Sequence, residues 1–239
     1  MYKKDFFEEV FKTELTEVSW SKNIKIPAYF TKKIEKTQFE EGIKRLKNFF
    51  LPKQVHRDEV LELDRFLEVF SVEADAVITR KSLFVGVRTA DCVPILIATE
   101  DGSLIGAVHA GWKGSLKKIL QKTIKKVKTF GYKPEEIFIA IGPHIRECCY
   151  EVKSDLIELL KKTFPDNYEN FLHFRNRSTF LNLLKLNLFQ VQSESIPLEN
   201  VWILESCTCC NLEYASFRRD KSLEAFQLSF IGLMEKDPC

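Results

Sequence analysis

Histidine is scarce in this chain, with four among 239 residues, so any imidazole chemistry has to be built from His56, His109, His144 and His173. An excess of charge is missing as well: 36 Lys plus Arg stand against 34 Asp plus Glu, a net charge of +2, which supplies no global attraction to nucleic acid or to an anionic membrane. No apolar run reaches the ~18 residues that a membrane span requires. The opening Met1-Tyr2-Lys3-Lys4-Asp5-Phe6-Phe7-Glu8-Glu9 puts acids where a secretory leader needs its apolar core. These absences set the expectation of a cytoplasmic protein with no membrane and no nucleic-acid partner. Internal repeats, low-complexity tracts and flexible linkers are also lacking, so one domain covering 1–239 is expected.

What is present is ordinary globular material, 45% hydrophobic and 29% charged, in a chain long enough to bury a sizeable core. The seven cysteines are an odd number and gather as Cys148-Cys149 and Cys207-Thr208-Cys209-Cys210, with Cys92 and Cys239 alone. Without a secretory leader, such a pattern reads as reduced thiols or metal ligands rather than a disulfide framework. A shared metal site for the two clusters is the sharper reading. Adjacent cysteines chelate one ion awkwardly, however, which favours buried thiols.

Hydrophobic periodicity predicts a helix over 5–12 and two extended pieces within 14–31, broken around Ser21-Lys22-Asn23 and Pro27. Phe39, Ile43, Leu46, Phe49 and Phe50 then fall at near-helical spacing, and Gln54-Val55-His56 reads as a short strand. Residues 74–79, 83–88, 93–99 and 104–108 are Val- and Ile-rich strands, with Asp101-Gly102-Ser103 as a hairpin turn. Ser115 is a candidate N-cap for a helix ending at Phe130-Gly131, with a core stripe of Leu116, Ile119, Leu120, Ile124 and Val127 and a solvated lysine face. Strands over 136–141, 201–205 and 213–217 and helices over 154–164 and 180–192 complete the reading. The fold class expected is α+β, a single domain with a mixed, partly antiparallel sheet packed with helices.

His56, Cys92 and His109 each lie at the end of a strand-like run, His56 standing 36 residues before Cys92 and His109 standing 17 after it. This is no zinc-finger spacing. Catalytic zinc sites instead collect three ligands from distant elements and leave a position open. Periodicity alone leaves a buried hydrophobic cysteine and two satisfied histidines as the simpler alternative.

Gln54-Val55-His56, Ala74-Asp75-Ala76-Val77-Ile78-Thr79, Thr89-Ala90-Asp91-Cys92-Val93-Pro94, Val108-His109-Ala110-Gly111-Trp112-Lys113-Gly114 and Ile141-Gly142-Pro143 resemble, in order and spacing, the laccase-domain family. Cys148-Cys149-Tyr150-Glu151-Val152, Cys207-Thr208-Cys209 and Phe217-Arg218-Arg219-Asp220 continue the likeness, which spans about 30 to 220. That family has been called multicopper polyphenol oxidase and also purine nucleoside phosphorylase or adenosine deaminase.

The resemblance implies one Zn2+ held by His56, Cys92 and His109, with purine nucleosides and phosphate as substrates. The reactions implied are phosphorolysis of adenosine, inosine, guanosine and methylthioadenosine and deamination of adenosine. Zinc chemistry of this kind lowers the pKa of a bound water and suits attack at C6 of adenine. Beside the metal ligands, Asp91 is a candidate partner or proton carrier, which requires a turn or bulge at Asp91-Cys92 because alternation otherwise separates neighbours. Phosphorolysis also calls for cations around a dianion, and Lys32, Lys113, Arg218 and Arg219 are the candidates, with His144 a possible pocket residue. Trp112 is expected to be a structural lid and His173 structural.

Three departures from the family pattern bear on substrate binding rather than metal binding: Lys33-Ile34-Glu35-Lys36 stands in place of a Gly-Gly-Val-Ser stretch, Arg57 replaces a glycine, and Lys221-Ser222-Leu223 replaces a Thr-Gly-Arg run. Competing readings are a copper-dependent polyphenol oxidase, for which four histidines are a thin ligand supply, and a metal-free hydrolase using Cys92 as nucleophile and His109 as base, acting for instance on cell-wall precursors. A non-catalytic binding module is the last, and the retained Cys and His residues weigh against it.

Overall fold

The middle of the chain is an almost unbroken run of Val, Ile, Leu and Ala because its strands are covered on both faces. In the computed structural model, which describes residues 3–20 and 24–233, six of them form one sheet. Val201–Ile203 lies at one edge, followed by Ile137–Ile141, Val93–Thr99, Ile105–Ala110, Ala76–Thr79 and, at the other edge, Val60–Leu63. The interior pairings are antiparallel and the pairing at each edge is parallel. On one face Ile95, Ile97, Ile139 and Val108 pack with Leu120, Ile124, Val127 and Leu186 of two helices, Ile119–Lys128 and Leu183–Ser193. On the other, Leu96, Ala98, Ala107 and Phe138 meet Phe30, Val85 and Val87 of a second sheet. The period-2 alternation therefore sorts neighbours into two cores rather than into core and solvent.

The second sheet runs Leu15–Glu17, Ala28–Thr31, Ala225–Gly232, Phe84–Thr89, Phe49–Phe50. Its far face is sealed by aromatic side chains: Phe7 and Phe11 of the helix Lys4–Phe11 and Phe39 of the helix Lys36–Ile43 pack with Phe49, Phe84, Phe226 and Phe230. The result is four layers, helices, sheet, sheet and helices, in the α+β class with mixed sheets. A small third sheet of Glu151–Val152, Ser178–Leu181 and Leu172–Arg175 stands to one side. Among the described residues no helix is long and apolar enough to cross a membrane. The Ser21-Lys22-Asn23 break and Cys239 lie outside the described residues.

Several sequence expectations are revised by tertiary pairing. The helix read over 39–50 stops at Ile43, and beyond it a left-handed Asn48 (φ 54°) leads Phe49 and Phe50 into a strand beside Phe84 and Val85. Ser115 is not an N-cap. The helix Trp112–Leu116 already contains it, and a left-handed Lys118 (φ 61°) separates that short helix from Ile119–Lys128. Phe180 and Leu181 belong to a strand, and Asn182 caps the following helix by accepting the Lys185 N–H at 2.8 Å. The last strand is Ala225–Gly232, while 217–220 is helical.

Candidate metal centre and active site

The register of two neighbouring strands builds half of the site. Val93 pairs with Ala110 and Pro94 with His109 in antiparallel order, so Cys92, just before the first strand, comes opposite Gly111, just after the second. A Cβ on Gly111 would stand 2.8 Å from the Cys92 sulfur. Gly111 has an ordinary extended backbone (φ −68°, ψ 170°), so its glycine serves close approach rather than an unusual turn.

Asp75 builds the other half. Ala76 pairs with Val108, which sets Asp75 opposite His109, and the His109 Nδ1–H donates to Asp75 Oδ1 at 2.8 Å with both groups buried. The same carboxylate accepts the backbone N–H groups of Val55 (3.2 Å), His56 (3.0 Å) and Arg57 (2.7 Å). These three amides hold a bend in which His56 is left-handed (φ 57°), where the sequence had suggested a strand. One buried carboxylate thus fixes the ring of one histidine and the backbone of the other, and by occupying Nδ1 it leaves His109 Nε2 as the free nitrogen. Burial works against the charge on Asp75, but His109 and the Arg57 amide hold its carboxyl below the usual range.

The donor atoms of His56, Cys92 and His109 all lie within 4.8 Å of one another. The two imidazole rings meet edge to face, 4.7 Å between centroids at 88°. A single ion with bonds of about 2.0–2.3 Å holds such donors roughly 3.3–3.8 Å apart, a spacing inside that 4.8 Å limit. His109 is buried, Cys92 half-buried and His56 exposed, so the set opens to solvent on one side. Burial disfavours the Cys92 thiolate, yet His109 and His56 outweigh it and bring the thiol down to about 6. Burial likewise opposes the imidazolium of His109, and Cys92 and Asp75 lift it to about 9. Once a bound ion displaces the Nε2 proton of His109, the donor set is an anionic sulfur with two nitrogens, which fits a borderline-soft divalent ion with positions left for other ligands.

The Asp91-Cys92 bend that alternation demanded is present, with Asp91 at φ 89°. Its carboxylate accepts the Thr208 hydroxyl at 2.7 Å and the Arg218 backbone N–H at 2.6 Å, and its carbonyl accepts the Ile145 N–H at 2.9 Å. Asp91 thereby ties the loop after residue 204 to the strand that carries Cys92. Arg218 donates from Nη1 to the carbonyls of Cys149 (3.3 Å) and Glu151 (3.2 Å), and its guanidinium lies 5.0 Å from the centre of the Tyr150 ring. Tyr150 is pushed well above its ordinary pKa by burial and then by Cys92, with Arg218 opposing. Its hydroxyl therefore sits in the field of the Cys92 sulfur.

The other expected residues have different neighbours. Lys113 is exposed, its Nζ 5.5 Å from the Trp112 ring, on the short helix that follows Gly111. Lys32 lies between Glu14 (2.6 Å) and Glu213, which raise its pKa. Arg219 pairs with Asp220 and donates to the carbonyls of Thr208, Cys209 and Tyr214. His144 is fully buried with Nδ1 on the Gly142 carbonyl at 2.8 Å, and burial pulls its pKa down to about 4. The lysine face of the Ile119–Lys128 helix is laced to Asp58, Glu62 and Glu194, as a solvated outer face should be. The divergent Lys33–Lys36 stretch has become structure: Ile34 and Glu35 pair with Phe226 and Ala225, and Glu35 and Gln38 form a capping box for the next helix.

Asp75 and Tyr150 are the residues that site reasoning from sequence passed over. A signal existed for Asp75, a lone charge at the head of the buried strand Ala76–Thr79. Charges in such places are rarely unpaired.

Residues 31–234 match the family model described as multi-copper polyphenol oxidoreductase laccase. The purine nucleoside phosphorylase of Aquifex aeolicus (strain VF5) is 37% identical over 186 residues, 77% of this chain and 82% of that one. A protein named adenosine deaminase RL5, from an unknown prokaryotic organism, is 30% identical over 184 residues, 72% of this chain and 69% of its own. Among solved structures, YlmD from Geobacillus stearothermophilus is similar in fold, with a TM-score of 0.78 at 24% identity over 88% of this chain and 92% of that one.

Proposed function

Because this chain belongs to the multi-copper polyphenol oxidoreductase laccase family, whose relatives carry nucleoside-enzyme names, we propose that it is a zinc enzyme acting on purine nucleosides. It catalyses phosphorolysis of adenosine, inosine, guanosine and methylthioadenosine and deaminates adenosine to inosine. The observation that carries the reading is the convergence of His56, Cys92 and His109 within 4.8 Å, backed by the buried Asp75 on His109 Nδ1. A zinc ion held by these residues would supply Lewis acidity and activate water at neutral pH.

The chain's own residues divide the remaining work. Asp75 keeps His109 in one tautomer and keeps the His56 bend closed. Asp91 acts as a positioning residue, holding the Arg218 backbone beside the strand of Cys92. Arg218, with its guanidinium against Tyr150, and Lys113, exposed on the helix after Gly111, provide the positive charge that phosphate and a departing purine require. Lys32, through Glu213, Arg219, through the Thr208 and Tyr214 carbonyls, and His144, through the Gly142 carbonyl, act as positioning residues for their loops.

The copper reading draws only on the family description. Two imidazoles at the centre, with His144 bonded to the Gly142 carbonyl, are too few for a cluster of several coppers. The test is to purify the protein without added metal, count zinc and copper per chain, and follow adenosine and inosine with and without phosphate by product chromatography. Free base formed only with phosphate supports phosphorolysis, and inosine from adenosine supports deamination. Zinc bound without any nucleoside turnover overturns the activity. His109→Ala should lose this zinc and turnover together, whereas turnover by wild-type protein stripped of its metal would instead favour Cys92 and His109 acting as a cysteine hydrolase.

A further inference from the structure

Outside this centre, the fold gathers a second group of sulfur atoms that the chemistry above leaves unused. Cys148 and Cys149 follow the strand Ile137–Ile141, and Cys207 and Cys210 follow Val201–Ile203, its parallel neighbour. The four sulfurs all lie within 4.8 Å of one another, with Cys149 to Cys210 at 3.2 Å and Cys148 to Cys210 at 3.4 Å. Four thiolates around one zinc at about 2.3 Å stand roughly 3.8 Å apart along each tetrahedral edge, a spacing inside the range already present.

The local chemistry favours thiolate. Cys207 and Cys210 have the C-x-x-C spacing of a zinc-binding turn, and the intervening Cys209 is not one of the four whose sulfurs all converge. The Cys207 sulfur accepts backbone N–H groups from Arg146, Cys209 and Cys210. Around them, Arg175, Arg218 and Arg219 donate to the carbonyls of Cys148 (3.1 Å), Cys149 (3.3 Å) and Cys209 (3.2 Å), surrounding with positive charge a group that would carry a net charge of about −2 with a divalent ion bound.

We propose that Cys148, Cys149, Cys207 and Cys210 form a second metal site, a closed tetrathiolate that binds a structural zinc ion and staples the loop after Ile141 to the loop after Ile203. With all four positions filled by protein it has no place for substrate, so its role is mechanical. The two loops it joins lead into Tyr150 and Arg218. The adjacency of Cys148 and Cys149, which on sequence grounds argued against joint chelation, is accommodated because both sulfurs already face Cys210.

The site is tested on full-length protein purified under reducing conditions by counting zinc per chain and by loading with Co2+. About two zinc ions are expected in the wild type and about one in either His109→Ala or Cys210→Ser. His109→Ala loaded with Co2+ should show strong sulfur-to-cobalt charge transfer and the visible bands of a tetrahedral thiolate site, both lost when Cys207→Ser and Cys210→Ser are added. If the serine variants fail to fold by circular dichroism, the cobalt spectrum of His109→Ala decides alone. A single zinc in the wild type that disappears with His109→Ala, iron with sulfide at these cysteines, or a cobalt spectrum without thiolate bands overturns the proposal. Because His109→Ala silences the first centre, failure of the nucleoside assay and failure of this site are read separately.

Discussion

Replacing Asp75 by asparagine keeps the shape of the side chain and removes the charge on which both histidines depend. In the wild type, Oδ1 accepts from His109 Nδ1 and the His56 N–H, and Oδ2 from the Val55 and Arg57 N–H groups. An amide keeps one accepting oxygen and turns an NH2 toward the other pair of donors. The two retained bonds fall from the charge-assisted to the neutral class, a loss of about 1 kcal/mol each. The two broken ones belong to a half-exposed bend that water partly re-satisfies, so about 1 kcal/mol covers both. The sum is about 3 kcal/mol, or a fall in Tm of roughly 6–12 °C for a chain of this size. With His109 no longer held in one tautomer, zinc affinity at that centre should drop about 10- to 100-fold. Melting of the metal-free protein and zinc titration against a chromophoric chelator measure the two effects independently. An Asp75→Asn protein that melts within about 1 °C of wild type and holds zinc within about twofold would refute the assignment of one carboxylate to both histidines.

Gly111→Ala places a methyl where only 2.8 Å separates it from the Cys92 sulfur, so the first centre should lose zinc to a chelator at concentrations the wild type withstands, with the circular dichroism of the fold retained. Phe230→Ala empties a fully buried position whose ring lies 4.7 Å from Phe7 and 5.5 Å from Phe49; a loss of about 3–5 kcal/mol in denaturant unfolding is expected, with metal stoichiometry unchanged. Glu194 is nearly buried, and although burial disfavours its charge, Lys128 at 2.8 Å and Gln121 hold its carboxyl below the ordinary value of 4.5. A carboxyl depressed in the folded state adds stability above its unfolded pKa and loses it as pH falls through the folded one. Glu194→Gln should therefore cost about 1–3 kcal/mol at pH 7 and flatten the acid limb of stability below about pH 4.5, which urea titrations across pH will reveal.

The strands between residues 74 and 108 were legible because a run of β-branched residues ending in Asp101-Gly102-Ser103 leaves few alternatives, and Gly102 takes the left-handed conformation (φ 65°) that the turn requires. The convergence of His56, Cys92 and His109 was legible through motif resemblance, since their spacing alone was mute. What stayed hidden depends on contacts distant in sequence. Phe49 and Phe50 continue a helical stripe until Phe84 and Val85 offer strand partners, and no local propensity encodes that choice. His56 looks like the end of a strand, because the carboxylate that bends it lies 19 residues further on. The meeting of the two cysteine pairs follows from the parallel pairing of Ile139 with Val201 and Ile141 with Ile203, a relation between strands about 60 residues apart in the chain.

The phenylalanine layer sets where this fold can be cut. The family match begins at residue 31, yet Phe7 and Phe11, both ahead of it, are fully buried against Phe39, Phe84 and Phe230. A chain trimmed to the matched segment would keep His56, Cys92 and His109 but lose the strand Leu15–Glu17, most of Ala28–Thr31 and the aromatic cover of the helix Lys4–Phe11. Its first symptom would be self-association through an open sheet edge and aromatic face, with His56, Cys92 and His109 still in the chain. The matched segment therefore contains the His56, Cys92 and His109 cluster, while the second sheet is completed and covered by residues that lie ahead of it.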